Sequence, residues 1–209
     1  MAVSYVHCHR CGNTTKHESL AVRKVDENVG EGITSFSWRN TYEVLECCGC
    51  GALCLCVTYL DLDDREEVHY FPAPISRPLP HWRWQVPDEL RELLEEIYAA
   101  LQIGAPRLAL MGTRALIDMV AVREAGDVGT FTAKVAALEQ RGFVSKRNSD
   151  VLAVALDAGN AAAHRGFKPE IDVLLAVIDI VENIVQAIYH LPHRASRVQR
   201  ETPPRTRVH

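Results

Sequence analysis

The chain has 209 residues, of which 47% are hydrophobic and 24% charged, and a net charge of −4. These values are ordinary for a globular protein that can bury a sizeable core. The first residues contain no basic segment followed by an apolar run, so we expect no secretory signal. The longest apolar stretch, residues 171–191, is interrupted by acidic residues and predicts a buried helix instead of a membrane span. We therefore expect a cytoplasmic protein that does not associate with membranes.

The charge is unevenly distributed. Residues 191–209 contain five arginines and one glutamate, a charge of +4, which leaves −8 for residues 1–190. A basic tail on an acidic body can bind nucleic acid or an acidic partner. Such tails are more often solvated and disordered, and this second interpretation is the one we favour for residues 191–209.

The seven cysteines favour metal binding over disulfide bonds, because we expect no secretory signal. Residues 8–12 read CHRCG and residues 47–51 read CCGCG, so the pattern Cys-x-x-Cys-Gly occurs twice. In a zinc knuckle the glycine lets the backbone fold back so that amide groups point at the sulfurs. Two knuckles supply four thiolates, Cys8, Cys11, Cys47 and Cys50. We predict that they hold one structural zinc ion per chain.

The other candidate ligands do not fit this pattern. Cys48 lies inside the second knuckle but breaks its register. Cys54 and Cys56 alternate with apolar residues and are predicted to be small buried residues on one side of a strand. Four histidines could belong to a second site, although their spacing does not indicate one; they are His7, His9, His17 and His69.

The remaining elements predict an α+β protein with an N-terminal β module and a helical bundle. Residues 1–71 are rich in β-formers and are predicted to form a zinc ribbon. Residues 72–86 carry a run of prolines and are predicted to form an irregular strap. Residues 87–190 follow as the helical domain, and residues 191–209 as the basic tail. The predicted strands are 19–24, 36–45, 53–60 and 68–71, and the predicted helices begin near 87, 106, 131, 149 and 171.

The fourth helix ends with the sequence DAGNAAAHRG over residues 157–166. Gly166 is predicted to stop the helix. Asn160 and His164 are four residues apart and therefore leave the helix from the same face. The three alanines between them allow another helix to approach closely. The pair could form a small preorganised site. Alternatively, Asn160 could cap or cross-link helices while His164 is a core histidine whose hydrogen bonds are satisfied within the protein.

In the order of its motifs the chain resembles the domain of unknown function 4145 family, which is placed in the HEPN superfamily of helical domains associated with nucleic acids. The resemblance implies a HEPN-like helical domain. It also implies a homodimer, which we expect to be two-fold with the two His164 helices near the axis. Members are ribonucleases of toxin and antiviral defence systems, or non-catalytic relatives that bind or scaffold. The resemblance rests on Cys8, Cys11, Cys47, Cys50, residues 114–118, Gly159, Asn160 and His164.

The cleaving motif of that superfamily has an arginine, a polar residue and then a histidine. Histidine moves the proton of the 2′-hydroxyl or leaving group, and arginine stabilises the charged phosphate. Asn160 and His164 match the last two positions, but Gly159 takes the place of the arginine. Arg114 or Arg165 could replace it in space and contact nucleic acid. We therefore predict a non-catalytic module that binds RNA or a protein, in a defence or mobile-element setting. The alternative is a metal-independent endoribonuclease that uses His164 with Asn160.

Overall fold

The computed structural model describes residues 3–29, 36–60 and 65–203. It confirms the α+β class, because an N-terminal antiparallel sheet is followed by helices. The chain divides into two compact units. The first comprises Met1–Pro78 and Tyr98–Ala105, and the second comprises Leu79–Ile97 and Pro106–His209.

The sheet of the first unit has five strands in sequential order, and each strand pairs with its neighbour in antiparallel fashion. The sequence predicted four strands, and the strand before the first knuckle was missed. The second strand also begins six residues earlier than predicted, because its polar N-terminal half pairs with that first strand. The strands are β1 (Val3–Cys8), β2 (Asn13–Val29), β3 (Phe36–Cys47), β4 (Leu53–Leu60) and β5 (Glu66–Phe71).

A small apolar core lies on one side of this sheet. Cys54 and Cys56 of β4 are buried and pack with Val6 of β1 and Leu45 of β3. Side chains alternate between the two faces of a strand, so two residues of the same strand that are two apart reach the same core. Both cysteines are therefore small core residues, as predicted.

The proline-rich segment contains one element of regular structure, contrary to the prediction that it has none. His81–Gln85 form a short 3₁₀-helix, with Pro80 as its N-terminal flanking residue. Proline lacks an N–H group, but the first N–H groups of a helix have no internal partner in any case. Trp82 is buried, whereas 63% of the surface of Trp84 is exposed.

The helices follow the predicted order, with two differences. Helix α4 begins at Lys146 and not near residue 149, because Ser145 caps it by accepting a hydrogen bond from the Asn148 N–H. The described residues contain six α-helices where five were predicted. The helices are α1 (Asp88–Gln102), α2 (Pro106–Ala125), α3 (Phe131–Gln140), α4 (Lys146–His164), α5 (Ile171–Val185) and α6 (Leu191–Glu201).

The sixth helix corrects the prediction of a disordered tail. A π-helical turn, Gln186–His190, follows α5 directly, and α6 continues from it. Pro192, which has no N–H group, follows directly on the π-helical turn, where the Leu191 N–H donates to the Gln186 carbonyl and the regular α-helical hydrogen-bond pattern is interrupted. Every residue of α6 is exposed. The last part of the predicted tail, residues 204–209, lies outside the described residues.

Helix α2 is at the centre of the second unit. It contacts α3, α4 and α5 and buries eight of its residues, among them Leu110, Leu116 and Ile117. Leu152 of α4 and Leu174 of α5 are also fully buried. Across the described residues, each helix is too short or too polar to cross a lipid bilayer.

Candidate metal centre and helical motif

The two cysteine motifs form matching turns at adjacent ends of the sheet. The Gly12 N–H donates to the Cys8 carbonyl and the Gly51 N–H donates to the Cys47 carbonyl, both at 2.9 Å. Both glycines have a φ of 70°, a conformation that glycine adopts without the strain a side chain causes. Each turn brings the second cysteine of its motif back towards the first.

The four predicted ligands come together. Their sulfur atoms all lie within 4.8 Å of one another. The Cys8 and Cys50 sulfurs are 3.6 Å apart, and the Cys11 and Cys47 sulfurs are 3.9 Å apart. A tetrahedral zinc ion with Zn–S bonds of about 2.3 Å requires sulfurs about 3.8 Å apart. The four cysteines are free thiols, and their spacing fits a single tetrahedral metal ion.

The surroundings of the cluster favour a thiolate at Cys47. Its sulfur lies 3.1 Å from the hydroxyl oxygen of Thr15. A hydrogen bond donated by this hydroxyl is the main reason why the pKa of Cys47 is lowered to about 6. The Cys50 and Gly49 amides lower the pKa further, whereas burial acts in the opposite direction. The neighbouring sulfurs, that of Cys50 first, raise the pKa of Cys11 to about 12. The cluster therefore combines a readily formed thiolate at Cys47 with a thiol at Cys11 that a metal ion would have to deprotonate.

Thr15 is a site residue that the sequence analysis missed. It lies near the start of β2, where it pairs with Val6, and two residues later His17 pairs with Cys47. Nothing in the local sequence indicates this contact, because it depends on the register between β2 and β3. The backbone of β2 also holds the second knuckle, since the Cys48 N–H donates to the Lys16 carbonyl.

The other cysteines and histidines considered as metal ligands are not members of the cluster. Cys48 is exposed and is not part of the cluster. Burial raises the pKa of Cys54 to about 11, which disfavours its thiolate. His17 is buried and its Nδ1 lies 3.0 Å from the Thr15 carbonyl, while Nε2 of His69 pairs with Glu67. Within residues 3–29, 36–60 and 65–203, the cysteine cluster is the one group of ligands placed to hold a metal ion.

In the second unit, α2 crosses α4 closely at Gly159. A Cβ atom added to Gly159 would lie 2.7 Å from Cβ of Arg114 and 3.2 Å from its Cδ. Carbon atoms in contact are normally 3.5–4.0 Å apart. The Arg114 side chain therefore occupies the space beside Gly159, where a side chain at position 159 would begin.

The two arginines named as possible replacements differ in their partners. Nε of Arg114 is buried and has no hydrogen-bond partner among the described residues, and its guanidinium carbon lies 5.5 Å from the centre of the Phe131 ring. Arg165 is exposed and pairs with the Asp157 carboxylate at 2.7 Å and with the Asp157 carbonyl at 3.1 Å. The structure thus brings Arg114 to the motif, while Arg165 pairs with a neighbouring carboxylate of its own motif.

Asn160 and His164 lie in the last turns of α4. Asn160 is half-buried and His164 is exposed. Gly166 ends the helix with a φ of 67°, and the Phe167 N–H donates to the Ala161 carbonyl. The exposed imidazole of His164 is therefore not the satisfied core histidine that was one of the two interpretations.

Comparison with known proteins assigns the helical region to a family. The family described as domain of unknown function (DUF4145) matches residues 95–201, which is more than half of the chain. The chain belongs to the DUF4145 family. Arg114, Gly159, Asn160 and His164 lie inside the region that matches DUF4145, whereas the cysteine cluster lies before it. No curated protein and no solved structure matches the chain.

Proposed function

We propose that this DUF4145 protein is a non-catalytic, zinc-binding protein whose HEPN-like helical domain, residues 87–190, binds nucleic acid or a protein partner. The zinc ribbon would comprise residues 1–71, joined to the helical domain by the strap at 72–86. A cytoplasmic role in antiviral defence or in mobile-element biology fits this combination. The observation that carries the proposal is the closed set of four sulfurs, Cys8, Cys11, Cys47 and Cys50.

The cluster fits a structural zinc site better than a catalytic one. A catalytic zinc ion keeps one position open for water or substrate, whereas four thiolates fill a tetrahedron. Zn²⁺ bound here would join the ends of β1 and β3 to the turns that follow them. In a module of this size the metal would supply much of the folding free energy.

Metal analysis tests this part of the proposal. Purified protein should carry one equivalent of zinc, and Cys11→Ser should lose the zinc and unfold the first unit. Cys48→Ser is the matched control, because Cys48 is, like Cys11, an exposed cysteine in a knuckle turn but lies outside the cluster. Zinc loss in the control, or retention in Cys11→Ser, would show that the ligand assignment is wrong.

The surroundings of Gly159 support the non-catalytic role of the helical domain. The superfamily motif needs an arginine beside the polar residue, and Gly159 has no room even for a Cβ atom. Arg165 pairs with Asp157, and Arg114 packs over Phe131. In this proposal Arg114 and Arg165 contribute positive charge for binding nucleic acid, and no group stabilises the transition state of phosphate cleavage.

One observation favours the alternative of a metal-independent endoribonuclease. Arg114 lies against Gly159, one residue before Asn160, and its Nε has no partner among the described residues. A bound phosphate could accept that hydrogen bond while His164 transfers protons. Removing one preorganised donor typically costs about 10²–10³ in rate.

Incubation with single-stranded RNA in buffer without added divalent metal ions separates the two functions. We expect the RNA to stay intact. Cleavage that leaves 2′,3′-cyclic phosphate ends and is abolished in both His164→Ala and Arg114→Gln would instead establish the endoribonuclease. Asp150→Asn is a suitable control, because Asp150 is exposed on the same helix and pairs with Lys146, which is not one of the proposed site residues.

We also propose a homodimer through the helical domain, with the two α4 helices near the two-fold axis. Val154 of α4 is 70% exposed and Val151 is 43% exposed. Val151 also borders a groove of about 260 Å³ that Ile180 and Ile184 of α5 line on the other side. Apolar side chains grouped in this way are characteristic of protein interfaces. Light scattering should show a dimer at micromolar concentration and a monomer for Val154→Asp, whereas a wild-type monomer would contradict the proposal.

A further inference from the structure

Helix α6 is fully exposed, although it is the direct continuation of the α5 helix and its π-helical turn. Helices of this length are only marginally stable on their own in water, and most are stabilised by packing an apolar face. None of the residues of α6 is buried. The helix therefore presents its whole circumference to solvent.

The basic residues of α6 share one face. With 3.6 residues per turn, His193, Arg194, Arg197 and Arg200 fall within about 120° of the helix circumference. Arg197 pairs with Glu201. In the described part of the chain, Arg194 and Arg200 form neither an ion pair nor a hydrogen bond. Two arginines on this face are therefore available to an external anion.

The 3₁₀-helix His81–Gln85 lies at the base of this face. His190 also falls within the same 120° of the helix circumference. The centres of the His190 and His81 rings are 5.9 Å apart, and Nδ1 of His190 is 2.6 Å from Oε1 of Gln85. Side chains three residues apart in a 3₁₀-helix lie on the same side. Trp84 therefore extends from the same side of the 3₁₀-helix as His81.

Trp84 is held in place but remains open to solvent. The guanidinium carbons of Arg83 and Arg91 lie 4.3 Å and 5.2 Å from the centre of its ring. These arginines are paired in turn with Glu95 and Asp88, so they orient the indole but add little net charge. With both guanidinium groups in place, 63% of the Trp84 surface is still exposed.

We propose that Trp84 and the basic face of α6 together bind single-stranded nucleic acid. A base would stack on the indole of Trp84, while Arg194 and Arg200 contact the phosphates of the same strand. This inference rests on the proposed nucleic-acid-binding function, and it adds to Arg114 and Arg165 a second surface that includes neither of them.

The combination of groups favours a single strand over the other possible partners. Unpaired bases stack on exposed aromatic side chains, and a basic surface follows the backbone. In a duplex the bases are already stacked on one another, so the indole would add nothing. An acidic protein would use the arginines but has no planar bases to stack on the indole.

Fluorescence anisotropy on the full-length zinc-loaded protein tests the surface with three probes: labelled oligouridine, labelled oligothymidine and a duplex of the same length. Trp84→Ala should weaken binding of the single strands about 5- to 140-fold, which is the usual contribution of one stacked base. Trp84→Phe should restore most of the affinity. Quenching of tryptophan fluorescence by the oligonucleotide should be reduced in Trp84→Phe.

The salt dependence of binding tests the role of Arg194 and Arg200. Arg194→Gln combined with Arg200→Gln should weaken binding, and the slope of log affinity against log salt should become shallower by about 1.4, or about 0.7 for each phosphate that is no longer neutralised. The control with the same change in charge replaces two exposed cations outside α6, Arg147 and Lys168, by glutamine. It should bind as the wild type does.

The possible outcomes distinguish this inference from the proposed function. If wild type binds and only Arg114→Gln or Arg165→Gln reduces the affinity, the surface is wrong and the nucleic-acid function stands. If wild type binds none of the three probes, the nucleic-acid function fails, and this surface fails with it. Preference for the duplex, or equal competition by polyglutamate, would overturn the single-strand assignment. Because Trp84 is largely exposed, we expect all variants to retain the wild-type circular dichroism spectrum.

Discussion

Replacing Gly159 by alanine tests whether close packing of α2 on α4 explains the glycine in the motif. Gly159 is buried within α4, and a Cβ atom there would lie 2.7 Å from Cβ of Arg114. The nearest atom belongs to the root of the Arg114 side chain, so rotation of that side chain cannot relieve the clash. One of the two helices has to move.

Two opposing effects set the magnitude. Alanine is favoured over glycine inside a helix by about 1 kcal/mol. Adding a methyl group at a closely packed position costs about 1–3 kcal/mol. We therefore expect Gly159→Ala to lower the free energy of unfolding of the helical unit by about 1 kcal/mol, which corresponds to a fall in Tm of about 2–4 °C.

Thermal and urea unfolding followed by far-ultraviolet circular dichroism measure this change. Ala153→Gly is the control, because Ala153 is exposed on the same helix and reports the glycine–alanine difference without crowding. Arg114→Ala should relieve the clash only in part, since it leaves the Arg114 Cβ in place. A Gly159→Ala protein that is more stable than wild type by about 1 kcal/mol, the helix-propensity gain alone, would refute the close packing of the two helices.

Three further predictions concern the metal site and a buried histidine. Thr15→Val removes the hydroxyl group next to the Cys47 sulfur and should weaken zinc binding about 10- to 100-fold, as is usual for outer-shell partners. Competition with a chelator measures this affinity, and Thr15→Ser should bind zinc nearly as the wild type does. Equal zinc affinities of the two variants would contradict a role for this hydrogen bond. Chelation of the zinc should unfold the first unit, measured as loss of β-sheet signal, whereas an unchanged spectrum after complete metal removal would show that the metal is dispensable for folding. Burial lowers the pKa of His190, with smaller contributions from Arg194, His81 and His193. The unfolded state therefore binds the proton more readily than the folded state does. As a result, the free energy of unfolding should be constant above about pH 6.5 and decrease below it. Urea unfolding at several pH values should show this decrease in wild type and a smaller one in His190→Gln, and equal slopes would rule out His190 as its source.

The sequence predicted the cysteine cluster well because its signal is local. Each knuckle is a five-residue turn in which residue types and spacing fix the geometry, and Gly12 and Gly51 have the positive φ that such turns require. Thr15 could not be predicted in the same way. Its contact with Cys47 joins residues of different strands, and the register that brings them together is not encoded in either segment alone.

The tail shows where composition fails as a guide. The charge of residues 191–209 is typical of a disordered end. Yet α6 continues a helix that is already formed, so it avoids the unfavourable nucleation step that a separate short helix requires. Leu191 is therefore not the boundary that the charge indicates, because α5 extends through the π-helical turn into α6.

The glycine in the helical motif was interpreted as the loss of a functional arginine, and the structure adds a physical reason for its presence. Because Arg114 covers Gly159, no side chain at position 159 could reach Asn160 or His164 without separating α2 from α4. A guanidinium can therefore reach this part of α4 from Arg114 but not from residue 159. The buried Nε of Arg114 has no partner among the described residues, and an unpaired buried donor costs about 1–3 kcal/mol. A bound phosphate would supply the missing acceptor, whereas a purely structural arginine would keep that cost in every state of the protein.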